Sequence, residues 1–335
     1  MFQQAQLNKF KKNRRAYISL WIFGIIFGLS LFSEFIANDK PIVVVYKSEI
    51  YFPIFKNYYE TEFGGDFETF TDYRDIYISD KIKKNGFIIW TAIKYSFNSI
   101  NYELPSPAPS PPTWDNILGT DDKGRDIFAR TLYGLRISIL FGLALTIFSV
   151  LIAIFIGGVQ GYYAGKVDLF GQRFIEIWSG MPILFIIIIL SEFVTPNFWL
   201  LLGIMLLFSW IPIASLVRAE FLKVRNFEYI QASKVMGASD FRIIMKHMLP
   251  NGFVATLTFL PFILVSSIVT LTSLDFLGFG LPIETASLGE MLSQAKNNLN
   301  APWIGITIFL TLSTLLVSLI FIGEGVREVT DSRYE

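Results

Sequence analysis

The sequence contains no cysteine and only one histidine, His247. Without thiols there is no disulfide framework, no thiolate metal site and no cysteine nucleophile, and one histidine cannot form a His-His metalloprotease motif. Gly165-Lys166-Val167 lacks the upstream Gly and the Ser/Thr of a Walker A loop, and Leu277-Gly278-Phe279-Gly280 lacks the third glycine of a dinucleotide loop. The chain therefore carries no visible catalytic machinery, and we expect no metal site and no cofactor of its own.

Charge is also scarce. Only 17% of the residues are charged and 53% are hydrophobic, whereas a soluble domain is typically about 25% charged. The 28 basic and 28 acidic residues cancel, so nothing favours binding to nucleic acid. This composition indicates a protein for which lipid is part of the solvent.

Six apolar stretches are long enough to cross a hydrocarbon core of about 30 Å as helices. A turn at Thr195-Pro196-Asn197 is expected to separate the third stretch, which ends at Val194, from the fourth, which begins at Phe198; one long bent helix is the alternative. The first stretch exceeds the usual signal-peptide core of about 7–15 residues, which favours an uncleaved anchor over a signal peptide. The predicted spans are Tyr17–Ala37, Ile137–Ala164, Phe174–Val194, Phe198–Val217, Phe253–Ser273 and Trp303–Gly323.

The basic residues of the short connections predict the orientation, because they accumulate on the cytoplasmic side. They are concentrated in the tail 1–16, in the connection 218–252 and, more sparsely, in the tail 324–335. Both termini are therefore predicted to be cytoplasmic, and residues 38–136 to lie outside. The latter are expected to form a small folded insert, ending in a stiff polyproline II linker at 105–112 (PSPAPSPP).

Residues 218–252, which we call the coupling loop, are predicted to form two short amphipathic helices around a glycine corner. Gly237 suits the left-handed position that ends a helix. Nothing in the loop is catalytic, and its shape is that of a segment held by another protein. The expected elements are an Asn226 cap, a helix Phe227–Met236, a Ser239 or Asp240 cap, a helix Phe241–Met248, and Pro250 as the stop before the next span.

The coupling loop resembles the EAA loop of bacterial ABC importer permeases. Gln231-Ala232-Ser233 is followed after three residues by Gly237 and after nine more by His247, one residue before Leu249-Pro250. The family pattern is E-A-A-x3-G-x9-I-x-L-P, so Gln231, Ser233 and His247 depart from it while both spacings hold. The resemblance implies that this short helix docks in a cleft of a cytoplasmic ATPase.

Further blocks resemble dipeptide and oligopeptide permeases, in the same order along the chain. They are Leu118-Gly119-Thr120-Asp121 with Gly124-Arg125-Asp126, Ser273 to Pro282, Ser287-Leu288-Gly289-Glu290, and Gly323-Glu324-Gly325-Val326-Arg327. The N-terminal blocks Asn13-Arg14-Arg15 and Ser19 to Phe23 are similar in addition to permeases of microcin C uptake systems. The resemblance to dipeptide and oligopeptide permeases extends from residue 115 to the end of the sequence. The resemblance to permeases of microcin C uptake systems extends over nearly the whole chain.

This resemblance implies an all-α, type I ABC importer permease with about six transmembrane helices. Its five-helix core would be residues 137–323, and its setting the bacterial inner membrane. The implied partners are a cytoplasmic ATPase that binds the ATP, a second permease forming a heterodimer, and a periplasmic peptide-binding protein. The implied substrate is an oligopeptide or a peptide-nucleotide antibiotic. A receptor using 38–136 as a ligand domain is the main alternative, and a secondary transporter is a third.

Four residues are candidates for the translocation pathway or its gate. Glu192 is an intramembrane carboxylate, for which function is the default hypothesis, unless it reaches water near the interface. Asp275, Gly278 and Gly280 lie where the fifth span meets an irregular Gly-rich stretch. Such backbone is tolerated at membrane depth only against protein or a water-filled cavity. A periplasmic surface loop is the alternative.

For His247 and for the three aspartates around Gly124, a structural role is predicted rather than ligand binding. His247 has no companion metal ligands, so packing or an interface role is favoured. Asp121, Asp122 and Asp126 around Gly124 resemble a cation site in composition, but turn formation and helix capping explain them better.

Overall fold

The computed structural model describes residues 8–282 and 284–330, and this part of the chain is mostly helical. Five helical segments in it are long and apolar enough to cross a membrane, and a bent helix pair provides a sixth span. We number the helices α1 Arg14–Leu31, α2 Ser33–Ile36, α3 Ile76–Asn85, α4 Ile127–Tyr163, α5 Gly165–Ser179, α6 Ile183–Phe193, α7 Phe198–Ser209, α8 Ile211–Val224, α9 Glu228–Val235, α10 Asp240–Ile243, α11 Leu249–Phe276, α12 Leu288–Asn297 and α13 Pro302–Thr330.

The helix ends follow from local capping. The Asn13 side chain accepts a hydrogen bond from the Ala16 N–H and starts α1, and Asn197 does the same for α7 through the Leu200 N–H. The predicted turn at residues 195–197 is therefore confirmed. Asp126 caps α4 through the Ala129 N–H at 2.8 Å. As a result the second span begins at Ile127, whereas the hydropathy pattern placed it near Ile137.

The third predicted span, Phe174–Val194, is wrong as a single helix. Helix α5 ends at Ser179 and α6 begins at Ile183, with a bend of 60° between them. Pro182 explains the break, because proline removes a backbone donor and disfavours helical conformation in the residue before it. The hydropathy pattern cannot register such a break because Gly180 and Met181 leave the stretch apolar.

Helix α4 is the central element of the membrane region and packs closely along α8. Gly157 and Gly161 form a G-x-x-x-G motif on α4. A Cβ at Gly157 would lie 2.4 Å from the Ala214 carbonyl oxygen, and one at Gly161 would lie 2.5 Å from the Phe221 Cβ. Small residues at this spacing let two membrane helices approach closely. The contact fixes the position of α8, from which the coupling loop extends.

Both ends of the described chain lie at the coupling-loop end of the helices. The Asn13 amide donates to Glu328 at 2.7 Å, joining the start of α1 to the end of α13. Helix α4 runs the other way: its N-terminal part lies next to the insert, where the Tyr133 hydroxyl donates to the Ala37 carbonyl at 3.1 Å. The insert and the coupling loop are therefore at opposite ends of the helical bundle.

The insert is a small folded unit, as predicted, but it contains a sheet. Strands β1 Val43–Tyr46, β2 Glu49–Tyr51 and β3 Gly86–Ile89 form an antiparallel sheet in the order β2-β1-β3. Helix α3 packs against it, and Phe63 is fully buried at the centre of an aromatic cluster. Four tyrosines surround the Phe63 ring at centroid distances of 4.9–6.3 Å: Tyr46, Tyr51, Tyr58 and Tyr73.

The proline-rich segment 105–112 is not the extended rod that its composition predicts. The chain bends at residues 105–109. Ser110 is buried, and its backbone pairs with Thr120 through two hydrogen bonds of 2.9 Å. This segment is therefore folded onto the start of the second span, because tertiary hydrogen bonds outweigh the local preference of proline.

Candidate functional site

The coupling loop has the predicted glycine corner. Helix α9 ends at Val235, and Gly237 adopts a left-handed conformation with φ of +80°. The Ala238 N–H then bonds to the Ser233 carbonyl at 3.1 Å, which closes the turn before α10 begins at Asp240. The two short helices, α9 and α10, thus meet at an angle set by one glycine.

Three details of the predicted loop are wrong. Asn226 does not cap α9; its amide donates to the Leu222 carbonyl and finishes α8, and Phe227 occupies the cap position. The second helix is one turn of α-helix followed by a π-helix, Ile244–Met248. Pro250 does not stop it, because a proline in the first turn of α11 lacks only a donor that has no partner there. The loop therefore runs without interruption into the fifth span.

Buried side chains fix the coupling loop to the membrane helices. Ile230 of α9, Ile243 of α10 and Met248 are fully buried and pack with Val217 and Phe221 of α8. Removing such side chains from water contributes about 1.5–3 kcal/mol each. The loop and the adjoining ends of α8 and α11 therefore form one packed unit.

Tyr162, in the last turn of α4, is held by both short helices. Its hydroxyl donates to the Asp240 carboxylate at 2.5 Å, and the Lys234 ammonium lies 4.8 Å from the ring centroid. The side chain is almost completely buried. The Asp168 carboxylate and the Arg218 guanidinium form a bidentate ion pair that joins α5 to α8. The central helix thus has a direct polar contact with the loop.

The outer face of the loop is apolar and exposed. Val235 is 89% exposed and Met236 is 78% exposed, and both flank the Gly237 corner. Phe241 on α10 is 75% exposed. Exposed apolar side chains of this kind mark interaction sites. We call Val235, Met236 and Phe241 the docking patch.

The residues of the EAA-like motif fall into two groups. Gln231 and Ala232 are exposed, and the Gln231 amide donates to the Arg225 carbonyl at 2.8 Å, a contact within the loop. Ser233 is buried and bonds to the Tyr229 carbonyl. His247 is half-buried with its ring 6.3 Å from that of Tyr229. At the start of α11, Leu249 is half-buried and Pro250 is exposed.

A buried ion cluster lies at the insert end. The Arg130 side chain is fully buried, with Nη2 2.6 Å from Glu290 Oε2 and Nε 3.4 Å from Asp121 Oδ2. Arg125 Nε is 2.6 Å from Asp121 Oδ2, and Arg125 Nη2 is 3.5 Å from Glu290. Gln294 donates to Glu290 as well. This cluster connects the element 118–126 to α12, two segments far apart in sequence.

Asp121 and Asp126 of the element 118–126 have the turn-forming and capping roles that were predicted. Asp121 accepts hydrogen bonds from the N–H groups of Lys123 and Arg125, both at 2.9 Å, and so forms the turn. Asp126 caps α4 and accepts from the Asn116 amide at 2.8 Å. Burial raises the pKa of the Asp126 carboxyl above its ordinary value, and these hydrogen bonds oppose that rise.

Asp275 organises the loop after α11. Its carboxylate accepts from the Leu281 N–H at 2.7 Å and from the Ser287 hydroxyl. Gly280 approaches it so closely that a Cβ would lie 1.8 Å from the carboxylate, and Gly278 has a φ of +83°. Glu192 lies apart from this group, exposed in the last turn of α6. The four candidate pathway residues therefore do not form one site.

A cavity of about 400 Å³ lies in the membrane region. Ser209, Ser266, Ser267 and Thr270 are among its lining residues, together with apolar side chains of α4, α6, α7, α8 and α11. Neither Asp275 nor Glu192 belongs to its lining. Helix α11 contains Pro261 close to this cavity, and proline inside a helix leaves one carbonyl without its partner.

Comparison with known proteins decides the family. Residues 149–323, more than half of the chain, match the family described as binding-protein-dependent transport system inner membrane component. The chain belongs to this family of ABC transporter permeases. Residues 1–53 of the permease match a second family model, the N-terminal TM domain of oligopeptide transport permease C. The fold prediction is thereby confirmed: the permease is a multi-pass inner-membrane protein of the type I fold.

Relatives extend the comparison to the whole permease. It is 58% identical to the inner membrane ABC transporter permease protein YejE of Escherichia coli K12, over 98% of this chain and 96% of that one. It is 51% identical to the peptidoglycan transport system permease protein YejE of Agrobacterium fabrum, over 97% of this chain and 91% of that one. It is 33% identical to the oligopeptide transport system permease protein OppC of Lactococcus lactis SK11, over 70% of this chain and 82% of that one.

These findings exclude the alternative functions considered from the sequence. The family is one of transport subunits, so the permease is not an enzyme and not a receptor, and the ATP is used by a partner ATPase. Sequence reasoning missed Tyr162 and Arg130 as organising residues. The sequence around Tyr162 shows no partner for its hydroxyl, and the only signal for Arg130 is a basic residue in a helix that is otherwise mostly apolar.

Proposed function

We propose that the permease forms half of the translocation pathway of an ATP-driven peptide importer. The coupling loop carries this proposal. Two short helices present an exposed apolar docking patch on one side, while on the other they are fixed to α4, α8 and α11 through buried side chains and Tyr162. A loop that binds a partner on one side and packs against the spans on the other can transmit the partner's motion to the spans. The partner is the cytoplasmic ATPase.

Peptides are the proposed substrates. The relatives' names support this class: they include oligopeptide and dipeptide transport systems and a peptidoglycan transport system. The hydroxyl-lined cavity between α4, α7 and α11 is the proposed part of the pathway within this subunit, since serine and threonine can bond successive peptide groups. Peptide-nucleotide antibiotics of the microcin C type are a second substrate class, supported by the N-terminal sequence blocks alone.

The complete transporter requires partners of three kinds. We propose that a second permease subunit closes the pathway as a heterodimer with this chain, as the resemblance to peptide permeases implies. A periplasmic peptide-binding protein would deliver the substrate. The gating residues at the insert end are proposed to be Asp275, Gly278 and Gly280, because they hold the loop between α11 and α12. Glu192, exposed near that end, is the remaining pathway candidate.

The proposed orientation has both termini and the coupling loop in the cytoplasm and the insert in the periplasm. It is tested by single cysteines, since the natural chain has none. Tyr102 is 86% exposed on the insert side, and Ser239 is exposed in the coupling loop. An impermeant thiol reagent is expected to label Tyr102→Cys but not Ser239→Cys in intact cells with a permeabilised outer membrane. Labelling of Ser239→Cys alone would reverse the orientation.

Gly237→Val tests the coupling function directly. At a φ of +80° a β-branched side chain costs about 1–2 kcal/mol in backbone strain, and α9 and α10 are expected to change their relative angle. We expect normal membrane insertion, weaker ATPase association and loss of peptide uptake, measured by co-purification and by uptake of labelled peptide. Since no atom lies within 4 Å of the Cβ position, steric collision is not the cause.

Gly203→Val is the matched control for this variant. Gly203 also has open space around its Cβ position, but it lies within α7 in ordinary helical conformation. We expect Gly203→Val to retain uptake. Wild-type uptake in a normally expressed Gly237→Val protein would contradict the coupling role of the corner.

A further inference from the structure

The insert carries an exposed aromatic patch that continues the outer face of the first span. Ile18, Trp21, Ile25 and Leu29 lie on one exposed side of α1 at intervals of three or four residues, and Phe32, the residue after the helix, continues this series. Only 17% of this span is buried, the smallest fraction among the spans of the described chain. In a membrane protein such a face is covered by lipid.

Aromatic contacts carry this face from the helix onto the insert. The Phe32 ring centroid lies 6.3 Å from that of Phe35, and the Phe35 centroid lies 5.9 Å from that of Phe55. Phe55 is in a turn closed by a hydrogen bond from its N–H to the Phe52 carbonyl, and it is 73% exposed. We call Phe32, Phe35 and Phe55 the Phe55 patch.

The length of α1 places this patch at the edge of the hydrocarbon core. Its 18 residues span about 27 Å at 1.5 Å per residue, close to the core thickness of about 30 Å. Phe32 directly follows the helix and Phe35 lies in α2, which comes next, so they and Phe55 lie at the depth of the interface. Aromatic side chains are enriched at that depth.

Charges around the patch fit a phospholipid surface. Lys56, next to Phe55, is exposed, and Lys40 bonds to the neighbouring Asn57 at 2.5 Å. The one carboxylate on α2, Glu34, is paired with Arg136 at 3.3 Å. Aromatic rings with lysines beside them suit lipid chains and phosphate groups respectively.

We propose that the turn 52–57 inserts into the headgroup region of the membrane and so anchors the insert on the lipid surface. The occupant of the patch is phospholipid, because the patch is continuous with the lipid-covered face of α1 and flanked by cations. The anchor holds the insert, and with it the entrance side of the spans, at a fixed height above the membrane. This inference rests on α1 as a span and is independent of the transported substrate.

The test uses an environment-sensitive fluorophore on single cysteines of the cysteine-free chain. Phe55→Cys reports on the patch, and Phe67→Cys is the matched control. Phe67 is also a strongly exposed phenylalanine of the insert, at 66%, but it lies between Asp66 and Glu68. The complete transporter, with its ATPase co-purified, is placed in nanodiscs of phosphatidylethanolamine and phosphatidylglycerol with or without doxyl-labelled lipid.

We expect doxyl lipid to quench the label at residue 55 severalfold more than the label at residue 67, and aqueous iodide to quench it less. In the Phe55→Cys background, Lys56→Glu is expected to weaken the doxyl quenching, since it places a negative charge beside lipid phosphates. Equal doxyl quenching at both positions would overturn the proposal. Shielding of residue 55 from iodide without doxyl quenching would also overturn it, because a protein partner would then cover the patch.

Discussion

Arg130→Met is expected to destabilise the permease by about 3–5 kcal/mol, the cost of breaking a buried ion pair. The Arg130 guanidinium bonds to Glu290 at 2.6 Å, to the Phe97 carbonyl at 3.0 Å and to the Thr285 carbonyl at 3.3 Å. Methionine replaces the aliphatic stem of the arginine but removes the guanidinium, which leaves the Glu290 carboxylate with less compensation. Arg125 still faces both carboxylates of the cluster, so the lower end of this range is expected.

Thermal unfolding in nanodiscs, followed by tryptophan fluorescence, measures this effect. Arg173→Met is the matched control: Arg173 also pairs with a glutamate at 2.6 Å, but both side chains are exposed, at 68% and 58%. Exposed pairs contribute about 0–1 kcal/mol, so the control is expected to melt like the wild type. Adding Glu290→Gln to Arg130→Met should recover part of the loss, because it removes the uncompensated charge. An Arg130→Met protein with the wild-type midpoint would contradict a structural role for the cluster.

Val235→Glu combined with Met236→Glu is expected to abolish stable association with the ATPase. Both side chains are strongly exposed beside the Gly237 corner, so glutamates there leave the fold intact. The few interface residues whose loss costs about 2 kcal/mol or more cluster near the centre of an interface. A charge left without a partner in the interface adds to that cost. We expect affinity to fall by about 100-fold or more, which corresponds to about 2.7 kcal/mol.

Co-purification and titration of the purified ATPase measure this change. Val167→Glu is the control, because Val167 is an exposed valine at the same end of the bundle that lies outside the coupling loop. It is expected to retain ATPase binding and peptide uptake. Equal ATPase binding by the double variant and the wild type would contradict the proposal that the docking patch binds the ATPase.

The sequence predicts well what depends on local pattern. Hydropathy located the spans apart from the break in the third one and the early start of the second, and the glycine at residue 237 indicated the left-handed corner that the structure contains. Each of these features follows from interactions within one turn or one helix. They therefore require no knowledge of the neighbouring elements.

The sequence fails where distant segments decide the conformation. Asn226 is a plausible cap from the sequence, but in the structure its amide bonds to the Leu222 carbonyl. Pro250 is a plausible helix end, but it lies in the first turn of α11. The proline-rich segment folds against Thr120, contrary to its local preference. The ion cluster around Arg130 joins residues more than a hundred positions apart, a relation that no local pattern contains.

Disulfide or bifunctional crosslinking from Val235→Cys to the ATPase subunit is the most direct test of coupling through the loop. Val235 is 89% exposed, whereas Ser233 is 8% exposed and bonded to the Tyr229 carbonyl, so Ser233→Cys is the matched buried control. If the docking patch transmits ATP-driven motion, the Val235→Cys crosslink forms, its yield changes between the nucleotide-free and ATP-bound states, and Ser233→Cys crosslinks weakly. A Val235→Cys protein that forms no crosslink, or one whose yield is the same in every nucleotide state during peptide uptake, would contradict the account.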